Sequence, residues 1–404
     1  MKAARVLLFV YCALLIIAIG CGGTSNLTSQ TPNPGAPPST GGNGGGNGGG
    51  NGGGNGGGSP SELLLTIENP KAASSVETFS ISSNGSLSHI ASANTSFDAA
   101  DIVANSKFAF VGNTILLAPN HPPIQVISYA IGSSGALTTA DQVSFTNFDD
   151  TTSGLLLDAP GTHVYVTSIN ALSSGRATTF AADAATGKLT YQPPDAFTPT
   201  AVPLGRMALS PNGLFVYVAT FTPHHTAIIP GIELLLRDPA SGHLSDSGRQ
   251  FHGTIPSADA YFDLAFSAGG QYLLGLDLSR KITVFAVNPA TGDLTVASEL
   301  LGNFQGMAVD RAGDFAIVTD DTGGVASYRI HSDGTLTIAG TAKAAAGAGN
   351  VTVAASNKFV YVQNKNAPQI FGFTFDPSGG ALVSVPGSPF TAAAQPIRMA
   401  AVGK

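Results

Sequence analysis

The chain has 404 residues, of which 11% are charged, and its formal net charge is −7. It has no run of Lys or Arg that could displace counterions from phosphates, so nucleic acid is not expected as a partner. Val, Ile, Leu, Phe and Thr, punctuated by Gly and without any Trp, indicate many short strands and tight turns.

The first 20 residues are typical of an export signal. Lys2 and Arg5 precede the apolar run Val6–Ile19, which is shorter than the roughly 20 residues that a membrane-spanning helix needs. The segment Ala18-Ile19-Gly20-Cys21 then resembles a bacterial lipobox, whose Cys takes the lipid after cleavage. We therefore predict a signal peptide over 1–20 and lipidation at Cys21, against the alternatives of an uncleaved anchor or an ordinary secretory signal.

Cysteine usage agrees with lipidation. Cys12 would leave with the signal peptide, so the mature chain would keep only Cys21 and could form no internal disulfide. Gly22, rather than Asp, follows this Cys, and by the sorting habit of Gram-negative lipoproteins this favours the outer membrane. The predicted localisation is thus export to the cell envelope, with the membrane as a partner through the lipid on Cys21.

A low-complexity linker follows over residues 21–60. Residues 41–58 read GGNGGGNGGGNGGGNGGG, which cannot bury apolar surface and is expected to be a disordered tether.

The remainder of the chain repeats. One motif is a strand, a turn that ends in Gly and a strand that begins near Leu, as in ITVFAVNPATGDLTVAS (282–298). It occurs seven times, and a Gly at each turn is expected because the turn needs a positive φ. These glycines are 42 to 55 residues apart: Gly85, Gly135, Gly187, Gly242, Gly292, Gly334 and Gly380.

A second hairpin lies between consecutive copies of the first, as in ALSPNGLFVYVAT (208–220), and is complete six times. Two hairpins per repeat make a four-stranded antiparallel blade that must stack on its neighbours. The missing seventh hairpin is divided between Glu62–Glu68 and Pro396–Val402. The sequence therefore predicts an all-β, seven-bladed β-propeller over 61–404 in which the N- and C-terminal strands share one blade.

These motifs carry a family resemblance. SPNGLFVYVAT (210–220), VYVTS (164–168) and ITVFAVNPATGDL (282–294) resemble the lactonase-type seven-bladed propellers. That family includes bacterial 6-phosphogluconolactonase and fungal muconate-cycloisomerising enzymes, with the YVTN-repeat surface proteins beside it. The resemblance implies the propeller fold over 61–404 and, for an active member, a lactonase, which is a carboxylic ester hydrolase.

The resemblance also indicates where a site would lie. In lactonase relatives a Pro-Arg-His stretch leads into an inner strand, and the following strand ends in Asn-Glu. In this chain Arg206 matches the arginine of that stretch. Met207 replaces the histidine, and Thr220-Phe221 replaces Asn-Glu. Arg398 repeats the Arg position in the closing blade, so the two arginines could hold an anion or could simply cap strand starts.

Other polar residues are predicted near the channel opening, on the face that carries the blade-to-blade loops. Asp277 matches a position where family members often carry Asp, for catalysis or for binding loop amides. His121, His224, His225 and Asp263 are candidate ligand-binding residues, whereas their spacing favours no metal site. Asp259, Arg280, Asp320 and Asp321 complete this set.

Two functions follow as hypotheses. The first is an envelope lipoprotein whose propeller binds a small molecule or a protein through its loop face, with degenerate catalytic residues and no cofactor. The alternative is a lactone hydrolase acting on a sugar or muconate-type lactone, with Arg206 and Arg398 holding an acidic group. A purely structural envelope protein is a third possibility.

Overall fold

The computed structural model describes residues 60–68, 74–113, 124–145, 150–170, 174–198, 202–223, 228–253 and 261–404. Across these segments the chain is all-β, and the one helical element is a three-residue 3-10 turn at Ala268–Gly270. Within the same segments, no helix has the length and apolar character required to cross a membrane.

The strands form seven antiparallel sheets, each of which is one blade. Blade I contains β1 (Glu62–Glu68), β2 (Ser75–Ile81) and β3 (Leu87–Asn94), and its fourth strand is the last of the chain, β29 (Pro396–Gly403). Blade II contains β4 (Ala99–Ala104), β5 (Phe108–Asn113), β6 (Ile124–Ile131) and β7 (Leu137–Phe145). Blade III contains β8 (Asp150–Leu157), β9 (His163–Asn170), β10 (Ser174–Ala182) and β11 (Leu189–Thr198).

Blades IV to VII follow the same order. Blade IV contains β12 (Val202–Leu209), β13 (Phe215–Pro223), β14 (Ile228–Arg237) and β15 (Leu244–Phe251). Blade V contains β16 (Tyr261–Phe266), β17 (Tyr272–Asp277), β18 (Ile282–Val287) and β19 (Leu294–Leu300). Blade VI contains β20 (Phe304–Val309), β21 (Phe315–Asp320), β22 (Gly324–Ile330) and β23 (Leu336–Lys343). Blade VII contains β24 (Ala348–Val353), β25 (Phe359–Asn364), β26 (Gln369–Phe375) and β27 (Leu382–Ser384), and the short β28 (Phe390–Thr391) also pairs with β26.

The ring closes within blade I. Strand β29 pairs antiparallel with β1, with Leu63 opposite Val402 and Leu65 opposite Ala400. The innermost strands contact one another around the axis in the order β29, β4, β8, β12, β16, β20 and β24, and β24 in turn contacts β29. The predicted seven-bladed propeller and its shared closing blade are therefore confirmed.

The turn glycines hold neighbouring blades together. All seven have φ between +73° and +91°, as the sequence predicts. The structure adds a second requirement, because each lies against the first or second residue of the second strand in the preceding blade. A Cβ on Gly292 would be 2.8 Å from the ring of Phe215, and the Tyr217 hydroxyl donates to the Gly292 carbonyl at 2.8 Å. A larger residue at these turns would therefore separate two blades.

The propeller has two unlike faces. The glycine turns lie on one face, which we call the turn face, and the loops between second and third strands lie on the other, the mouth face. Both ends of the propeller chain meet on the turn face, where the Lys404 amide donates to the Ser61 carbonyl at 2.8 Å.

Candidate functional site

Every innermost strand has an irregular register near the mouth face. Such bulges re-aim the side chains that follow them. The first residue to pair after the bulge in five blades, and the residue just before it in blades IV and VII, occupy equivalent positions along the innermost strands. Together these seven residues form what we call the channel ring. Its members, in order around the axis, are Arg398, Asp101, Gly154, Arg206, Asp263, Gly306 and Asn350.

Four charged members of this ring converge, and we call them the channel cluster: Arg206, Arg398, Asp101 and Asp263. The Arg206 Nη2 lies 3.7 Å from Asp101 Oδ1, and its Nε lies 4.0 Å from Asp263 Oδ1. The Arg398 Nε lies 3.9 Å from Asp101 Oδ1. Gly154, between Asp101 and Arg206 in the ring, has no side chain, so Arg206 can reach across blade III.

Backbone amides fix the two aspartates. Asp101 accepts from the Ile102 amide through Oδ1 and from the Leu155 amide of the next blade through Oδ2, both at 3.0 Å. Asp263 accepts from the Leu264 amide at 3.1 Å. The carboxylates stand at ion-pair rather than hydrogen-bond distance from the guanidinium groups.

The arginines keep donor capacity. The Arg206 Nε is buried and has no hydrogen-bond acceptor among the residues that the structure describes. The side chains of Arg206 and Arg398 are nevertheless 28% and 22% exposed, so solvent reaches part of each. Buried donors are normally paired, which makes this guanidinium the natural contact for a ligand oxygen.

Burial and charge compete in the cluster. Burial raises the pKa of Asp263, although Arg206 and Arg398 oppose the shift. Burial and the neighbouring Arg206 lower the pKa of Arg398. Burial also acts to lower the pKa of Arg206, but Asp263 and Asp101 outweigh it, and the net shift is upward. The cluster thus contains a carboxyl group that holds its proton more tightly than an exposed Asp does.

Asp277 lies apart from the channel cluster, at the end of β17. Its Oδ1 accepts from the Ser279 hydroxyl at 2.6 Å and from the Lys281 amide at 3.1 Å. Asp320 ends β21 in the same way and accepts from the Gly324 amide at 2.9 Å. Both are turn-capping residues in this structure, and a catalytic part for Asp277 stays a prediction.

Asp263, also predicted from the sequence, belongs to the channel cluster together with Arg206 and Arg398. Cys21, His121, His224 and His225 lie outside the described residues. Met207, which stands where relatives carry His, packs in the hydrophobic cluster between blades III and IV. No grouping of three or more His, Cys, Asp or Glu side chains suited to a metal occurs in the described segments.

Sequence reasoning missed Asp101. It lies in AADIVA, which carries no motif by itself, but aligning the innermost strands on their bulges places Asp101 and Asp263 at the register of Arg398. The repeat therefore contained the signal for this site. It lies at a position that varies among the seven copies, not in the turn residues that recur in all of them.

A buried carboxyl pair lies where blade I closes. Glu68 and Glu77 are 0% and 1% exposed, and each accepts a backbone amide from the segment before β29, Ala394 and Ala393 respectively. Burial raises the pKa of Glu68 to about 8, and the nearby Glu77 adds to the shift while the Ala394 amide opposes it. The proton that Glu68 retains lets its buried side chain stay uncharged beside Glu77.

A charged network joins blades III and IV on the turn face. The Arg237 guanidinium donates to Asp158 Oδ2 at 2.9 Å and to the Tyr165 hydroxyl at 2.6 Å. His163 Nδ1 lies 2.9 Å from the same Asp158 oxygen. Burial alone would raise the pKa of Asp158, but hydrogen bonds from His163 and from the Thr162 backbone lower it to about 2.

The fold and the cluster together define a seven-bladed β-propeller with a charged, partly solvent-accessible channel. No protein-family model matches the chain, and no curated protein matches it.

Similar solved structures exist despite low identity. A proposed 6-phosphogluconolactonase from Bacteroides uniformis superposes with a TM-score of 0.70 at 15% identity, covering 84% of this chain and 99% of that one. The periplasmic gluconolactonase of Pseudomonas aeruginosa gives 0.66 at 19% identity, covering 85% of this chain and 99% of that one. A proposed 6-phosphogluconolactonase from Bacteroides fragilis gives 0.67 at 14% identity, covering 85% and 98%. The chain therefore has the fold of the lactonase-like propellers.

Proposed function

We propose that this chain is an envelope lipoprotein whose propeller binds a small organic anion, such as a sugar acid, in its channel. The observation that carries the proposal is the buried Arg206 Nε without an acceptor among the described residues, beside a second guanidinium at Arg398. A ligand carboxylate can accept from both arginines, because its two oxygens match the planar guanidinium donors. The structural neighbours support a sugar acid, since lactonases release hydroxy acids from lactones.

Calorimetric titration of the full chain in detergent with gluconate tests this proposal. We expect Arg206→Gln and Arg398→Gln to lower the affinity at least about tenfold, the loss of one charge-assisted contact. Arg329→Gln is the matched control, because Arg329 lies over the Phe315 ring and contacts the Ser378 carbonyl outside the channel. Unchanged affinity in both channel variants would refute the site.

Lactone hydrolysis is the second candidate function, and Asp263 favours it. This buried carboxyl group has a raised pKa and lies 4.0 Å from Arg206 Nε. As a carboxylate it could take a proton from water as the water oxygen bonds to the lactone carbonyl carbon. The ring C–O bond then breaks as Asp263 returns its proton to the ring oxygen, the new carboxylic acid loses its proton to solvent, and the arginines retain the carboxylate.

Turnover of glucono-1,5-lactone above its uncatalysed rate distinguishes the two functions. An enzyme would lose this turnover in Asp263→Asn and still bind gluconate. Wild-type protein that binds gluconate but does not accelerate hydrolysis would be a binding module.

The envelope attachment is a separate part of the proposal. It is supported by Lys2, Arg5, the apolar run before Gly20 and the Cys21 that opens the linker. Labelling cells with a palmitate analogue should mark the wild-type chain and leave Cys21→Ser unmarked. Equal labelling of the two would refute lipidation at Cys21.

A further inference from the structure

Two cationic side chains converge on one neutral atom at the mouth face. Arg280, in the loop after β17, donates through Nη1 to the Gln305 Oε1 at 3.1 Å. Lys365, in the loop after β25, donates through Nζ to the same oxygen at 2.7 Å. A single amide oxygen thus receives charged donors from blades V and VII, on either side of its own blade VI.

Gln305 is the extra residue of the bulge in β20, between Phe304 and Gly306. It directly precedes the channel-ring position Gly306, so its backbone lies about 3.3 Å nearer the mouth face than the ring. The bulge therefore places an amide, and with it two cations, on the mouth-face side of the channel ring.

The backbone fixes both cationic loops. Arg280 has φ +69°, rare for a residue with a side chain, and its amide donates to the Asp277 carbonyl at 3.0 Å. The Lys365 amide donates to the Gly347 carbonyl at 2.7 Å, and the Gln395 side chain binds the Lys365 carbonyl. The backbones that carry the two charges are therefore held in place before any ligand arrives, which lowers the entropy cost of binding.

A further polar group lies beside Lys365. A Cβ on Gly349 would be 2.8 Å from Lys365 Cγ and 3.0 Å from Gln363 Nε2, so both side chains lie over this glycine. Gln363 is 4% exposed, and its Oε1 is buried without a hydrogen-bond partner in the described part of the chain. Its oxygen is an acceptor suited to a ligand hydroxyl.

We infer that Arg280, Lys365 and Gln305 form a second anion-binding subsite, so that the channel ligand carries two anionic groups. This inference rests on the proposed function, in which Arg206 and Arg398 hold the first carboxylate. A carboxylate or phosphate offers several charged oxygens where Gln305 offers one neutral oxygen, so it binds both cations more strongly. The Gln305 Nε2 can then donate to the same anion.

Three ligands with the same six-carbon hydroxylated chain test the subsite by calorimetry on the full chain in detergent. Gluconate has one carboxylate, glucarate has a carboxylate at each end, and 6-phosphogluconate has a carboxylate and a phosphate. We expect both dianions to bind at least about tenfold more tightly than gluconate. Whichever of them binds more tightly identifies the second group as carboxylate or phosphate.

The Arg280→Gln/Lys365→Gln double variant should bind all three ligands with the affinity of gluconate. Lys358→Gln, which removes a cation from the turn face, should leave every affinity unchanged, and thermal melts should show all variants folded. If glucarate and 6-phosphogluconate bind no more tightly than gluconate, or if they still bind more tightly in the double variant, the second anion-binding subsite is refuted and the proposed function is not. Absence of gluconate binding to the wild-type chain instead overturns the proposed function, and a dianion bound only through Arg280 and Lys365 would then leave the subsite standing.

Discussion

Glu68→Gln should change how the stability of the propeller depends on pH. The pKa of Glu68 is raised from 4.5 to about 8 in the folded chain, and the side chain is 0% exposed. Between these values the folded chain holds a proton that the unfolded chain releases, so the free energy of unfolding falls as pH rises. The contribution is complete below pH 4.5 and lost by about pH 8.

The shift of about 3.5 pKa units corresponds to an upper limit of about 5 kcal/mol, or about 1.4 kcal/mol for each pH unit. Gln does not titrate, and its amide can accept from Ala394 and donate to Glu77. We therefore expect Glu68→Gln to match the wild-type chain near pH 4.5. It should become progressively more stable than the wild type as the pH approaches 8.

Guanidinium denaturation at half-unit intervals from pH 4.5 to 8.5 measures this difference. Glu62→Gln, on the same strand at the turn face, is the control and should run parallel to the wild-type chain. Parallel curves for Glu68→Gln as well would refute the raised pKa of Glu68. Subtracting the curves removes other groups such as Glu233, whose pKa burial also raises to about 8.

Two further substitutions and one deletion probe the contacts between blades and the closure of the ring. Gly292→Ala should lower the free energy of unfolding by about 3 kcal/mol, because the new Cβ clashes with Phe215 and the backbone has a positive φ. Gly248→Ala is the control and should cost about 1 kcal/mol, because Gly248 has φ +67° but open space around it. Equal losses in thermal melts would contradict the contact between Gly292 and Phe215. Asp158→Asn should destabilise the chain by about 3 kcal/mol at pH 7. The wild type should lose stability as the pH falls from about 4 to 2, and this variant should lose less over the same range. The same pH dependence in both proteins would argue against the network. Deleting residues 396–404 should abolish cooperative melting because β1 loses a neighbouring strand, and an unchanged transition would refute the closure.

The sequence predicted the fold well because its repeated residues are the ones that build blades. Gly292 and its six counterparts, together with the alternating strands, determine the blade count and the shared closing blade. The contact between Gly292 and Phe215 could not be predicted, because these residues are far apart in sequence and meet only when two blades stack.

The site was predicted only in part. Arg206 and Arg398 stood out through the family resemblance, but Asp101 became visible only through register. The Glu68 and Glu77 pair was missed because its members lie on neighbouring strands, and the amides that they accept come from Ala394 and Ala393, more than 300 residues away. The channel ring could be recognised only once the bulges were known, because they determine which residues of the innermost strands are equivalent.

The meeting of both chain ends on the turn face has a mechanical consequence. If the linker is anchored through Cys21, as proposed, tension in it pulls on β1 lengthwise from residue 60. Strand β1 lies between β2 and β29, so two hydrogen-bonded ladders resist that pull in shear instead of peeling apart one bond at a time. The same attachment would leave the mouth face on the opposite side of the propeller from the tether, so a ligand could enter the channel in any orientation of the domain.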